Sequence, residues 1–454
     1  VSAADWARDA VFYHVHPLGM CGAPPHNDGD GTSAPRLARL HAWIPHWHAL
    51  GVTALYLGPV FESSTHGYDT ADYFRVDRRL GDDDTLAALV AACHATGIRV
   101  VLDAVFHHVG RAFWAFRDLR DRGPASPHRA WFAGVDFGRR SPLDDAFSYD
   151  TWHGHDELVK LALGHRPVRD HLLSAVRHWI ERYDVDGLRL DVAESVAPDF
   201  LRELAASCRA LRPDLWLLGE VIHGDYTHWA NAETLDSVTN YEAYKGLYSS
   251  HNDRNYFEIA HSLERQFGPR GIYRGLPLYA FADNHDVTRI ASRLRDPTHL
   301  YPLHVLLFTM PGVPAIYYGS EWGVPGAKRP DGDRNLRPAL EGPHPPPDAR
   351  HPELADTIGR LARLRHAMPA LRRGDYRTLH IASEQLAFAR IAAGETAIVV
   401  VNASHAPAVV PMPVATWRGR RLVDRLDPAA PVLVAGDRLD LEVPPCWGRV
   451  LTVA

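Results

Sequence analysis

Sulfur is scarce in this sequence: there are four cysteines and four methionines among 454 residues, and Cys21, Cys93, Cys208 and Cys446 stand far apart with no C-x-x-C pair. That scatter predicts neither a disulfide framework nor a zinc site, and it suits reduced thiols in a cytoplasmic protein. Long hydrophobic runs are missing as well. No apolar stretch approaches the roughly 18 residues that a spanning helix needs, and the first ten residues hold Asp5, Arg8 and Asp9 where a leader would have an apolar core. Basic blocks and tails are absent, and the formal net charge is −6, so neither a nucleic-acid partner nor a membrane partner is expected. The sequence also lacks G-x-S-x-G, a P-loop, G-x-G-x-x-G and H-E-x-x-H. Serine hydrolase, nucleotide, dinucleotide and zinc-protease chemistry therefore lack support, and no cofactor is expected to be required.

What is present is a repeated alternation. Short apolar runs at 11–16, 54–57, 99–103, 187–191, 216–220, 237–239, 278–282 and 314–318 read as strands, and amphipathic segments lie between them. Leu172, Val176 and Ile180, and again Leu201, Leu204, Cys208 and Leu211, recur at helical spacing. Eight βα units in series predict an α/β fold, a closed (β/α)8 TIM barrel in preference to an open doubly wound sheet. Residues 107–165 are too long for a simple loop and read as a subdomain B inserted after strand 3. The barrel then comprises 1–106 and 166–373. From 374 to 454, runs such as 386–390, 397–401 and 432–434 predict a C-terminal antiparallel β domain, a sandwich.

Barrel enzymes carry their chemistry where strands end. Here strand 3 ends at Asp103 and runs into His107-His108, strand 4 carries Arg189 and Asp191, strand 5 ends at Glu220, and strand 7 runs into Asp283-Asn284-His285-Asp286. Alone, a strand-end Asp reads more often as a helix cap or turn former, the Arg189–Asp191 pair equally as a structural ion pair, and Glu220 as a solvent-facing residue at a helix start. Four in succession point to a site. Arg189 and Asp191 are two apart and share a strand face, so the guanidinium is expected to keep Asp191 ionised, as a nucleophile requires. Glu220 sits between Trp-Leu-Leu-Gly and Val221-Ile222, an apolar frame suited to a general acid. An ionised Asp with a protonated Glu is the division of labour in glycoside hydrolysis.

These residues also carry a family resemblance. Asp103-Ala-Val-Phe-His-His108, Gly187-Leu-Arg-Leu-Asp191, Gly219-Glu220 and Phe281-Ala-Asp-Asn-His-Asp286 resemble the four motifs of glycoside hydrolase family 13, the α-amylase family. Residues 67–73 and 310–319 also match, in order. The resemblance implies a retaining enzyme with Asp191 as nucleophile, Glu220 as acid/base and Asp286 as transition-state stabiliser. It further implies an oligosaccharide substrate held by Tyr68, Asp69, His108, Arg189, His223, His285, Asp333 and Arg337. The runs Asp191-Val-Ala-Glu-Ser-Val196 and Glu220-Val-Ile-His223 resemble the cyclomaltodextrinase, neopullulanase and maltogenic-amylase subgroup. That subgroup acts on α-1,4 and sometimes α-1,6 bonds of cyclic or short maltooligosaccharides. A compact relative such as a cyclic maltosyl-maltose hydrolase fits a chain that begins at strand 1, and a homodimer is expected only from the subgroup likeness. His107 stands where the family usually has an Asn tied to calcium, which makes a structural calcium less expected here. Two alternatives stay open on the same residues: a transglycosylase or isomerase of α-glucans, and a non-catalytic sugar-binding barrel.

Overall fold

The computed structural model describes residues 4–29, 33–330, 332–427 and 431–453. Eight short parallel strands lie in chain order: β1 (Phe12–Val15), β2 (Ala54–Leu57), β3 (Arg99–Ala104), β4 (Gly187–Leu190), β5 (Trp216–Gly219), β6 (Ser237–Val238), β7 (Tyr279–Phe281) and β8 (Val313–Tyr317). Each pairs with its sequence neighbour from β1 to β6, β7 pairs with β8, and β8 returns to β1. A parallel bridge between Thr239 and Tyr279 joins the remaining edges, so the wheel is closed.

Closure follows from what the strands offer to each face. With a side-chain period of two, alternate residues point inward. Phe12, Ala54, Tyr56, Val101, Trp216, Leu218, Tyr279, Phe281, Val313 and Ala315 pack together inside the wheel. Phe12 centres this layer, with its ring 5.0 Å from Trp216 and 5.5 Å from Tyr279. The intervening residues, among them Tyr13, Leu55, Leu57, Val100, Leu102, Leu188 and Leu190, face the surrounding helices. Those helices fall where the spacing predicts. Arg166–Tyr183 buries Leu172 and Val176, and Pro198–Leu211 buries Leu201, Leu204 and Cys208.

Between β3 and β4 the chain builds a three-stranded antiparallel sheet from His108–Gly110, Thr151–Trp152 and His155–Lys160. Arg111 and Arg120 anchor its long loop on Asp145, with Arg111 Nη1 2.5 Å and Arg120 Nε 3.0 Å from the carboxylate. After the barrel come β9 (Asp375–Ile381), β10 (Gln385–Ala392), β11 (Glu395–Asn402), β12 (Ala408–Pro413), β13 (Arg421–Asp424), β14 (Val432–Leu433), β15 (Arg438–Val443) and β16 (Trp447–Val453). Six of these form an antiparallel sheet in the order β9-β10-β11-β16-β13-β14, and β12 pairs with β15. Ala387, Ile398, Val400 and Leu451 of the large sheet share an apolar layer with Val410, Met412, Leu441 and Val443 of the small one. Among the described residues, no helix is long and apolar enough to cross a membrane.

Candidate active site

Toward the C-terminal ends of the strands the inward positions change from apolar to polar. Phe12 is followed two residues later by His14, Ala54 by Tyr56, Val101 by Asp103, Gly187 by Arg189 and then Asp191, and Leu218 by Glu220. The register sets Asp103 beside Arg189 across β3 and β4. The apolar layer is thus a floor, and a charged layer lies directly on it.

Arg189 is the hub of that layer. Its buried guanidinium places Nη1 2.8 Å from Asp103 Oδ1 and 2.8 Å from Asp191 Oδ1, and Nη2 2.9 Å from Glu220 Oε2. Asp103 also accepts from the hydroxyls of Tyr56 (2.7 Å) and Tyr68 (3.0 Å). Glu220 accepts further from Val192 N (3.1 Å) and the Tyr241 hydroxyl (3.3 Å). Val192, directly after Asp191, has φ 41, a conformation that a β-branched residue adopts only under constraint. The turn it forces aims its N–H at Glu220. The local surroundings of Glu220 are therefore polar, unlike the apolar frame suggested by its sequence neighbours, because Val221 faces away while Glu220 shares the inward parity of Leu218.

Asp286 lies on the other side, among cations and rings. Arg337 Nη2 is 3.0 Å from its Oδ1 and His285 Nε2 is 2.9 Å from its Oδ2, while the Lys328 ammonium donates to its backbone oxygen. Tyr68 stacks on His285 with ring centroids 5.3 Å apart, and its hydroxyl meets His285 Nε2. The two sides are linked by Asn284, whose side-chain amide donates to the Tyr241 hydroxyl at 3.0 Å.

The two aspartates are pushed in opposite directions. Burial acts most strongly on Asp191 and drives its carboxyl well above the usual carboxylate range. Arg189 opposes this, and Glu220, Asp103 and Asp286 add to it. The guanidinium expected to keep Asp191 ionised does pull its carboxyl down, but it is shared with Asp103 and Glu220, so that pull is divided. Burial also acts on Asp286, but His285, Arg337 and Arg189 outweigh it and hold that carboxyl well below the usual range. Burial lowers the imidazoles of His14 and His16 well below their ordinary value and that of His108 to about 3, so these rings are neutral at pH 7.

Asp191, Glu220 and Asp286 all line one cleft of about 1170 Å³, together with Tyr68, His108, Asp333 and Arg337. Arg189 and His285 lie just beneath its surface, each touching one or more of these residues. His108 Nε2 is 3.9 Å from Asp191 Oδ2, and Asp333 Oδ2 is 3.3 Å from Arg337. Asp69 and His223 are placed elsewhere. Asp69 is buried in its turn, accepting from Thr65 Oγ1 at 2.9 Å and Gly67 N at 3.2 Å, and His223 is exposed beyond the cleft wall. Sequence reasoning missed His16, Trp152, His155, Ile222, Tyr241 and Lys328, which also line the cleft, as well as Tyr56, whose hydroxyl supports Asp103 from the floor. Inward strand parity would have flagged Tyr56. A calcium ion does not fit at His107, which offers a buried ring nitrogen where a hard cation needs oxygen donors.

This is the architecture of a barrel enzyme with a carboxylate cleft at the C-terminal face, and comparison with known proteins agrees. The chain matches the alpha amylase catalytic domain over residues 26–353. It is 33% identical over 450 residues to a cyclomaltodextrinase of Geobacillus thermopakistaniensis, covering 93% of this chain and 74% of that one. Neopullulanase 2 of Thermoactinomyces vulgaris is 33% identical over 425 residues, with 88% and 70% covered. Among solved structures, the cyclic α-maltosyl-(1→6)-maltose hydrolase of Arthrobacter globiformis superposes with a TM-score of 0.82 at 29% identity, covering 99% of this chain and 100% of that one. The chain belongs to the α-amylase family, glycoside hydrolase family 13, and is an α-glucoside hydrolase.

Proposed function

We propose that this enzyme cleaves α-1,4-glucosidic bonds, and α-1,6 bonds where the cleft admits them, in cyclic or short maltooligosaccharides through a covalent glycosyl intermediate on Asp191. The observation that carries this is the single guanidinium of Arg189 held between Asp191 and Glu220 in a cleft that Asp286 also lines. Asp191 attacks the anomeric carbon while Glu220 gives its proton to the departing glycosidic oxygen. That bond breaks and the glycosyl–Asp191 ester forms. Glu220, now bare, takes a proton from an incoming water, whose oxygen bonds to the anomeric carbon and releases Asp191. Asp286 stabilises the positive charge that develops on the ring, and Arg337 and His285 fix its position. Tyr68 and His108 pack against the same sugar, with Asp333 and Arg337 holding its neighbour, while Asp69 acts through the turn that carries Tyr68. His223 meets sugar units beyond the cleft wall.

The names of the relatives support the substrate class. One observation favours transfer to a sugar in place of water: Leu18, Leu158, Ile222 and Val287 make much of the cleft wall apolar, and Ile222 stands two residues from Glu220. Chromatography with mass detection on maltotriose, a cyclodextrin and a branched maltoside tests both. Shorter products alone support hydrolysis, and longer or rearranged products support transfer. An intact panel would leave a binding barrel and end the proposal. The reading also includes a cytoplasmic location and a homodimer, which fractionation and sedimentation would check.

A further inference from the structure

The cysteine scatter hides a cluster that forms only on folding. At the junction of the barrel and the C-terminal domain, His299, His405 and Cys446 each bring a ligand atom within 4.8 Å of the others. His299 comes from the barrel, just before the helix Leu300–Thr309, while His405 and Cys446 come from two loops of the C-terminal domain. His299 Nε2 and Cys446 Sγ lie 2.9 and 3.7 Å from the Ala403 carbonyl oxygen, and the other nitrogen of the buried His299 ring, Nδ1, has no hydrogen-bond partner among the described residues.

Two further observations set this cluster apart from an ordinary polar contact. His405 Nε2 is 2.6 Å from Asp296 Oδ2, and its other nitrogen, Nδ1, faces Cys446 Sγ at 3.7 Å. A histidine that gives one N–H to a carboxylate and turns the bare nitrogen toward a thiol has the orientation of a metal ligand with its supporting carboxylate. Zinc–nitrogen bonds of about 2.0–2.1 Å and zinc–sulfur bonds of about 2.3 Å at tetrahedral angles put such a nitrogen and sulfur about 3.6 Å apart. The second observation is that Cys446 has φ 48, held there while its N–H donates to Ser404 O at 3.0 Å. A non-glycine residue in that region persists only where its surroundings fix it.

We infer that His299, His405 and Cys446, with Asp296 orienting His405, form a site for a zinc-class divalent ion that ties the barrel to the C-terminal domain. The Cys446 thiolate and the Asp296 carboxylate together match the charge of the ion. The fourth position opens to solvent on the exposed His405 side. Binding displaces the thiol proton to solvent, and no redox change is involved.

The test uses the full chain without a histidine tag, stripped with a chelator and dialysed against Zn2+ or Co2+. The expected result is one equivalent per chain, a thiolate-to-cobalt charge-transfer band, and at least a tenfold loss of affinity in both Cys446→Ser and His405→Ala. Asp296→Asn should weaken binding less. His405 is exposed, so its variant should fold even if the cysteine variant does not. Failure of the wild type to retain an equivalent would overturn the proposal. So would unchanged affinity in His405→Ala, which would place the ion elsewhere, for instance among the cleft histidines.

Discussion

The two sides of the cleft are built on opposite imbalances. Around Arg189, three carboxylates converge on one cation, and burial raises the Asp191 carboxyl above the usual range. Around Asp286, a guanidinium and an imidazole converge on one carboxylate, which is held ionised. The first side is short of positive charge, so a proton is shared within it, and the proposed mechanism needs that proton on Glu220 when Asp191 attacks. On the second, Arg337 and the His285 ring nitrogen hold Asp286 ionised, so it keeps a fixed negative charge. Proton transfer and charge stabilisation are thus separated in space, as the proposed mechanism needs.

The largest expected effect tests whether this division is functional. Asp191→Asn and Glu220→Gln should each lower kcat/KM on maltotriose by ~10³-fold or more with the fold retained by circular dichroism, and Asp286→Asn by ~10²–10³-fold. Near-normal turnover in any of the three would remove that residue from its role. Arg189→Lys sharpens the comparison, because an ammonium cannot bridge Asp191 and Glu220 with a planar fork. A loss of about 10²-fold is expected, measured by steady-state kinetics.

Stability should divide the two sides by sign. Asp191 has its folded pKa raised, so stability is present at low pH and is lost as pH rises above the usual carboxylate range. Asp191→Asn escapes that loss and should raise the melting temperature at pH 7 by on the order of 2–4 °C, with the gain vanishing in acid. Asp286 has its folded pKa lowered, so its contribution is present at neutral pH and is lost as pH falls below the usual carboxylate range. Because its side chain is one-third exposed, Asp286→Asn should lower the melting temperature at pH 7 by only about 1–2 °C. Scanning fluorimetry from pH 4 to 8 reads both, and shifts of the same sign would break the comparison. The smallest effect is expected for Tyr68→Phe. It deprives Asp103 of one of several donors and His285 of a partner, and should cost about 0.5–1 kcal/mol in denaturant unfolding.

The sequence made the floor and one wall legible. Strand ends at Asp103, Asp191 and Glu220 could be read because a buried strand has a fixed parity, and Arg189 two before Asp191 had to share its face. The same parity applied to His14 and Tyr56 would have added them. The opposite wall was harder. Trp152 and His155 arrive on the inserted sheet, Tyr241 opens the helix Tyr241–Asn252 and Lys328 sits on a loop; no local pattern sets these paths, and Ile222 looked like an ordinary apolar neighbour of Glu220. Asp69 is next to Tyr68 in sequence yet its oxygens accept hydrogen bonds within its own turn, which no sequence pattern marks. The polar setting of Glu220 was equally hidden, since its partner Arg189 lies on another strand and the Val192 turn that aims an N–H at it leaves no mark in composition.

The central claim is that Asp191 takes the sugar while Glu220 handles the proton. Glu220→Gln incubated with an activated α-glucosyl fluoride and digested for mass spectrometry tests it most directly. A glucosyl adduct on the peptide that contains Asp191, absent from the Asp191→Asn variant, is the predicted result. Hydrolysis with no adduct and inverted product stereochemistry, or an adduct on another carboxylate, would contradict it.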